Sequence, residues 1–531
     1  MANGTVGGLE PLEIEADVLI VGGGMAACWA GISAARTGAK VVLVDKGYVG
    51  TSGVTATAGP GHWWVSPEGD ARKQAIEKRM GIAYGLGDPT WMERIIDTTW
   101  RVLPTLSKYY RFNVNDKGDT VYNALRGPEY LRALRRAAVD AGVTIFDQSP
   151  VLELLLHDDG SVAGANGVRR QENRAFTARA GATILATGGA GFLGGLLGSS
   201  TNTGDGHLMA LEVGAELSGM EFSNEYSISP AWNSTRTLIY SYARYFDEEG
   251  TELDVLPTNY VLERALVKGK VFALLNECPE PLRKALPQIQ PMTLLPFVRK
   301  GITDVYEKPF EVKLFPEGTI RGTGGLRIVG EQCETTIPGL FAIGDTATRE
   351  LIAGATSGGG SPNSAWALTS GLLAGEGAVA LAKSRGRRLN DKVRAQGTVG
   401  LRPRSNVKAV DRRRVLKAAQ DEILPLDKNV FRSGPKLRDS LGVLESAWRE
   451  LRDHDYATGA DAVIARETAS VVATARLSYT AALARDESRG LHQREDIPEQ
   501  KPEQARRLLI GGLDEVWTRP EARAEWRPEH V

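Results

Sequence analysis

Cysteine is scarce in this 531-residue chain: Cys28, Cys278 and Cys333 stand far apart and form no CxxC pair. That spacing argues against an iron–sulfur or structural zinc site held by the chain, and against a secreted disulfide framework. The six histidines are dispersed without HxH or HExxH spacing, so no metal site is expected. A surplus of one charge is missing too: the formal net charge of −1 offers no basic field for nucleic acid. No run approaches ~18 consecutive apolar residues, so no membrane span is expected. The opening MANGTVGGLEPLEIEADV lacks a basic region, an apolar core and a twin arginine, which makes the cytoplasm the default address. No repeat of about 20–50 residues is visible.

Glycine, by contrast, is abundant at 60 residues, above the usual ~7%. It clusters where strands meet loops, as backbone–ligand contacts require. A hydrophobic share of 42% and a charged share of 24% are those of a soluble globular protein, and the length suits two to four domains. ADVLIV (16–21), KVVLVDK (40–46), VTIFDQ (143–148), PVLELLLHDDG (150–160), ATILATGG (182–189) and GLFAIGD (339–345) read as strands between helical segments. The fold class expected is α/β. From about 226 to 335 aromatics and prolines rise, which reads as an inserted domain, since a strand-like run resumes afterwards. From about 385 the chain turns helical and charged. The expected division is 1–225 and 336–384 as one domain, 226–335 as a cap, and 385–531 as a helical C-terminal domain.

Gly22-x-Gly24-x-x-Ala27 follows one strand and opens a helix, and Asp45 ends the next strand. Gly22 permits a tight turn, Gly24 lets a pyrophosphate lie against the backbone, and the helix start at Met25 and Ala26 faces the phosphates. Asp45 can accept hydrogen bonds from an adenosine ribose and repels a 2′-phosphate. Strand, helix and terminal acid in register make this a strong dinucleotide signal. Two more glycine turns at strand ends, ATGGAG (Ala186, Thr187, Gly188 onward) and AIGD (Gly344, Asp345), lie over a hundred residues apart. One such turn suffices for NAD, whereas FAD is held along its length by several. Asp345 can bind ribityl hydroxyls, and the helix opening in GATSGGGSPNSAWAL brings Ser361, Asn363 and Ser364 to the flavin's pyrimidine end. FAD is therefore the cofactor expected, with Lys46 and Val151 also among its candidate contacts.

These motifs resemble the flavoprotein family of succinate dehydrogenase, fumarate reductase, L-aspartate oxidase and adenylylsulfate reductase α subunits. Its carriers here are GGGMAA, TSGVTATAGP, ATGGAG, TGDGHLMALEVGAELSGMEF, RGTGGLRI, GLFAIGD and ARDESRGLHQREDIP. The resemblance implies a Rossmann-like FAD-binding domain, an inserted α+β capping domain and a C-terminal helical domain. It also places Thr51, Ser52, Gly53, Thr57, Ala58 and Gly59 beside the flavin ring, and Asp205 of TGDG at a cap or a flavin-domain contact. Where succinate and fumarate enzymes carry a flavin-linking histidine in SHTxxAxGG, this chain has Gly53, so FAD is expected to be non-covalent.

The dicarboxylate-binding pattern of the family is altered as well. MEFxQxHPT becomes MEFSNEYSISP, placing Tyr226 at the substrate histidine; HYTMGG becomes IRGTGG, placing Ile320 at another. Tyr240 and Ser241 replace a threonine and a glutamate, and Gly359 falls where the family has a late arginine. Arg244 keeps its place, and Arg264 stands near the proton-delivering arginine. A dicarboxylate needs several fixed cations, so succinate and fumarate are not the expected substrates. Tyr226 is a candidate for proton handling or for holding a polar group. Arg244 is a candidate anion anchor, and His62, which precedes Trp63 and Trp64, is a candidate for the cavity wall.

The leading expectation is an FAD-dependent oxidoreductase passing hydride between flavin N5 and a small organic molecule. A second is the flavoprotein component of an electron-transfer complex like adenylylsulfate reductase, with a ferredoxin-like iron–sulfur partner. Residues 383–417 carry 13 Lys/Arg against two acids, a docking surface on that reading and a solvated linker on the plainer one. A third is a flavin-binding protein without catalysis. A homo-oligomer is compatible with all three.

Overall fold

The computed structural model describes residues 9–115, 117–235, 239–256, 259–289 and 291–522. Residues 1–8 and 523–531, which belong to the first and last of the expected segments, lie outside the described residues.

Apolar runs without alternation must bury both faces, and here they form a parallel sheet. Leu12–Val21 is central, pairing in parallel with Val41–Val44 on one side and Arg174–Leu185 on the other. Thr144–Phe146 extends the sheet beyond Val41–Val44. The long Arg174–Leu185 strand serves two neighbours: its end pairs in parallel with Leu340–Ala342, its beginning antiparallel with Val162–Arg169. Val151–His157 and Val393–Ala395 complete the antiparallel flank. One sheet therefore uses strands from before and after the inserted segment.

Every residue of the helix Met25–Ala35 is buried, which its small side chains make possible. It packs on the long helix Ser361–Arg385. The two backbones approach closely because a Cβ at Gly371 or Gly375 would stand 2.6 Å or 2.7 Å from the carbonyl oxygens of Ala26 and Ala30. The longer helix is, by length and composition, apolar enough to cross a membrane, but 72% of its most apolar window is buried inside this fold. Its apolar surface is consumed by packing, and both helices begin at the same edge of the sheet.

The inserted segment builds a layer of its own. Glu225–Pro230, Phe310–Gly318, Val271–Leu274, Arg244–Phe246 and Glu252–Leu253 form an antiparallel sheet in that order. It encloses a separate core around Val271, Ala273, Leu286, Phe297, Phe310 and Val312. After it, Arg412–Ile423, Gly434–His454 and Gly459–Ala484 pack as helices around Leu444, Trp448, Leu451 and Tyr479. The segment after 385 is not helical throughout. Leu508–Gly511 and Trp517–Pro520 join Leu217–Ser218 and Gly325–Leu326 in a four-stranded sheet, so the chain returns to the first domain.

A buried ionic network ties the helices to that domain. Arg485 Nε donates to Glu221 Oε1 at 2.6 Å, and its Nη1 to Glu487 Oε1 at 3.0 Å. His492, from the same ARDESRGLHQREDIP stretch, accepts at Nδ1 from Arg432 and donates from Nε2 to the Arg485 carbonyl, so it is a neutral seat for the seam.

Candidate active site

The parallel strands end together, and a cavity of about 1370 Å³ lies beyond their C-terminal ends, between the sheet and the cap. Ligands of α/β sheets bind at this edge. The volume exceeds the roughly 300–1,000 Å³ of an ordinary small-molecule site, enough for a dinucleotide and a substrate together.

One wall is backbone. Gly22 holds φ at +113°, and a Cβ there would sit 2.2 Å from the Ala186 carbonyl oxygen, so the turn requires glycine. At Gly24 a Cβ would meet nothing within 4 Å: the bare backbone faces open cavity at the start of the helix Met25–Ala35. Neither that helix nor Ser361–Arg385 has a side-chain cap at its start, so both present unpaired N–H groups and a positive dipole end to the cavity. Asp45 ends its strand at the same wall, accepting from Ser52 Oγ and from the Gly47 N–H. Burial pushes the Asp45 carboxyl up, against these hydrogen bonds and the nearby Lys46. This donor set fits FAD: the helix start at Met25 for its phosphates, the helix start at Ser361 for the pyrimidine end of the flavin, and a carboxylate for a ribose.

Several candidate contacts also hold one another. Lys46 Nζ reaches Thr203 Oγ1, Asp205 Oδ2 at 2.8 Å and Glu467 Oε1 at 3.0 Å. Burial opposes the Lys46 charge, but Asp205 and Glu467 outweigh it and hold its pKa above the ordinary value. Asp345 Oδ1 accepts from buried Arg349 at 2.6 Å and from Asn363 Nδ2 at 3.1 Å. Thr51, Ser52, Gly53, Thr57, Ala58, Gly59, Val151, Ala186, Thr187, Gly188, Gly344 and Ser364 line the cavity. Ser361 is not among its lining residues; its carbonyl accepts from the Trp63 N–H.

The other wall is side chains from the cap, and the four residues expected to carry chemistry separate here. Tyr226 lines the cavity, but its hydroxyl donates to the Leu424 carbonyl at 2.8 Å and accepts from Asn429 Nδ2 at 3.2 Å, which commits its proton to the C-terminal helices. Arg244 lies outside the lining, paired with Glu252 on the outer strands of the cap. Arg264 is also outside, stacked on Phe431 and 3.4 Å from Glu495. His62 is 1% exposed behind the wall, its Nε2 3.3 Å from the Tyr130 hydroxyl, and burial pulls its pKa down to about 3. Trp64 stacks between Trp100 and Tyr122, with centroids 4.3 Å and 4.4 Å away. The His62-Trp63-Trp64 run is core rather than substrate wall.

Glu225, Glu317 and Arg321 take their place in the lining. The Arg321 guanidinium lies over Gly359, where a Cβ would stand 2.3 Å from its Nε. Gly359 is the position where the resemblance expects an arginine, and the Arg321 side chain stands beside it. Each adjoins a position where the sequence departs from the family pattern: Arg321 follows Ile320 in IRGTGG, and Glu225 precedes Tyr226 in MEFSNEY.

Comparison with known proteins agrees with this geometry. The FAD binding domain family matches residues 17–239, and the fumarate reductase flavoprotein C-terminal family matches 420–519. A CoM/CoB fumarate reductase chain of Methanothermobacter marburgensis is 27% identical over 93% of this chain and 97% of its own. The L-aspartate oxidase of Mycobacterium tuberculosis is 26% identical over 94% and 96%. Among solved structures, a variant of E. coli quinol fumarate reductase FrdA superimposes with a TM-score of 0.78 at 22% identity, covering 96% of each chain. Adenylylsulfate reductase from Archaeoglobus fulgidus gives 0.75 at 20%, covering 97% of each. At such identities the superpositions speak for the fold alone. Fold and cradle thus define an FAD-dependent oxidoreductase. Over most of its length the chain is similar to the flavoproteins of the fumarate reductase and L-aspartate oxidase type.

Proposed function

We propose that this flavoprotein transfers hydride between FAD and a small organic substrate other than succinate or fumarate. Bound FAD supplies the hydride chemistry at its N5. The protein's part is to hold and orient: Gly22, Gly24 and the helix start at Met25 for the phosphates, Asp45 for a ribose, and Asp345, Asn363 and the second helix start for the flavin side. The cap excludes water above them.

The observation that carries the substrate reading is the charge at the cap end of the cavity. Among the described cap residues that line it, Arg321 is the one cation, and Glu317 and Glu225 lie close to it, while Lys46, Arg126 and Arg170 line the cavity from the first domain. A dicarboxylate calls for at least two anchoring cations. Non-covalent attachment is supported by Gly53, whose φ of 79° and ψ of 164° belong to a region essentially restricted to glycine. A histidine there would be strained.

Fumarate as substrate is the competing reading, favoured by the name of the methanogen relative. Photoreduced holoprotein mixed with fumarate under argon separates the two. Reoxidation no faster than in buffer is expected, and rapid turnover overturns the exclusion. A companion screen of organic acids, amines and sulfur compounds is expected to bleach or reoxidise the flavin with at least one compound. If none does, the protein binds flavin without catalysis.

An iron–sulfur partner finds less support in the basic run. Arg387, Arg388, Arg402, Arg404, Arg412 and Arg414 pair with Asp17, Asp159, Glu153, Asp514, Asp455 and Glu450. Much of that positive charge is neutralised within the chain, so co-purification of such a partner is not expected to depend on these arginines.

A further inference from the structure

The cap returns to the first domain through a short loop after the strand Phe310–Gly318, and that loop is held by a side chain from elsewhere. The carbonyl oxygens of Thr319, Ile320 and Gly322 accept from no backbone N–H among the described residues. They accept instead from Arg349, whose Nη1 donates to Ile320 at 2.7 Å and whose Nη2 donates to Thr319 and Gly322. The remaining carbonyls are satisfied by backbone: that of Arg321 accepts from the Gly358 N–H at 2.7 Å, and that of Thr323 from the Arg349 N–H at 2.8 Å. Buried carbonyls need such partners, so the path of this loop depends on Arg349.

The same guanidinium reaches the other side of the cavity. Its Nη1 also donates to Asp345 Oδ1 at 2.6 Å and to Asn363 Oδ1 at 3.2 Å, while Asn363 Nδ2 donates to Asp345 Oδ1 at 3.1 Å. One carboxylate oxygen is thereby committed, and Asp345 Oδ2 has no protein donor among the described residues. Arg349 is 0% exposed and is not among the cavity's lining residues, whereas Asp345, Asn363, Ile320 and Arg321 are. A Cβ at Gly358 would stand 3.4 Å from its Nε, so the glycine turn before the helix Ser361–Arg385 leaves room for it.

We propose that Arg349 is a positioning residue that binds Asp345 and the Thr319–Thr323 loop into one unit, so that a single guanidinium sets the flavin side and the cap end of the cavity relative to each other. The inference rests on reading Asp345 and Asn363 as cofactor contacts. A planar fork with donors in fixed directions suits oxygens arriving from three segments, which an ammonium on a flexible stem does not.

Holoprotein is diluted and FAD release is followed by flavin fluorescence, together with the visible flavin spectrum and hydrogen exchange of peptides spanning Thr319–Thr323. Arg349→Ala is expected to release FAD at least ~10-fold faster, to shift the spectrum and to speed exchange in the loop. Guanidinium chloride at a sub-denaturing concentration should reverse these changes, and equimolar urea, which has the shape without the charge, should not. Arg349→Lys retains the charge without the fork; it should fall between parent and Arg349→Ala, and it carries the test if the alanine variant fails to fold. Parent-like release and spectrum in Arg349→Lys or in folded Arg349→Ala overturns the proposal. So does a folded Arg349→Ala that urea restores as well as guanidinium, or that neither restores. Asp345→Ala should also release FAD faster. If it does and the Arg349 variants do not, the positioning role fails alone. If Asp345→Ala keeps the parent's release and spectrum, the reading of Asp345 as a cofactor contact fails and the proposal falls with it.

Discussion

The two walls of the cavity are built differently. The sheet side is backbone: glycine turns at Gly22, Gly188 and Gly344, and two helix starts without side-chain caps. The cap side is side chains: Glu225, Tyr226, Tyr240, Glu317 and Arg321. A backbone wall recognises what every FAD shares, and its residues are confined by sterics. A side-chain wall can change its charges while the strands beneath it stay in place. On the function proposed, the cofactor half keeps its motif and the cap half carries the specificity.

The largest effect that tests this contrast is at Gly22. Gly22→Val adds a Cβ that would meet the Ala186 carbonyl oxygen at 2.2 Å, at a φ that valine avoids. Loss of soluble, yellow protein is expected, seen in expression yield and bound flavin. Next comes the seam behind the walls. Arg485→Met strands the buried Glu221 carboxylate, whereas Glu487 keeps its pair with Arg489. A loss of about 3–5 kcal/mol in urea unfolding is expected.

The cap side should respond in function rather than in folding. Arg321→Met and Arg244→Met remove the same charge from one layer. The first should impair ligand binding, whereas the second, which breaks an exposed pair with Glu252, should cost little stability and leave binding unchanged. Equal effects on binding would remove the distinction drawn between cavity and cap exterior. The smallest expected effect is on stability against pH. The folded pKa of Glu225, about 7, lies above its ordinary 4.5, so native protein holds a proton that unfolded chain releases between these values. Stability from this group is present below about 4.5 and is lost as pH rises to about 7. Glu225→Gln should therefore gain in melting temperature over the parent across that window and keep the gain above it. A gain that grows toward acid pH contradicts the assignment.

The contrast also explains what could be read from sequence. Gly22, Gly24 and Asp45 were legible because their spacing is set by local geometry: one turn, one helix start, one strand end. Ile320 and Gly359 were legible as departures from a pattern. Arg321 was not, because only the tertiary fold shows that its guanidinium lies over Gly359. Arg244 kept its place in the aligned motif, yet the cap strands carry it away from the cavity to Glu252. His62 follows the segment lining the cavity, but the chain turns inward after Gly61 and burial leaves the imidazole neutral behind the wall. The charge run at 383–417 could not be weighed from sequence because its acidic partners lie elsewhere in the chain, from Asp17 to Asp514.

The most direct test of the central claim, a backbone-built FAD site without a covalent link, is acid precipitation of purified holoprotein. About one FAD per chain is expected, all of it released into the supernatant. Colour retained in the pellet, or protein that folds and takes up no FAD, contradicts it.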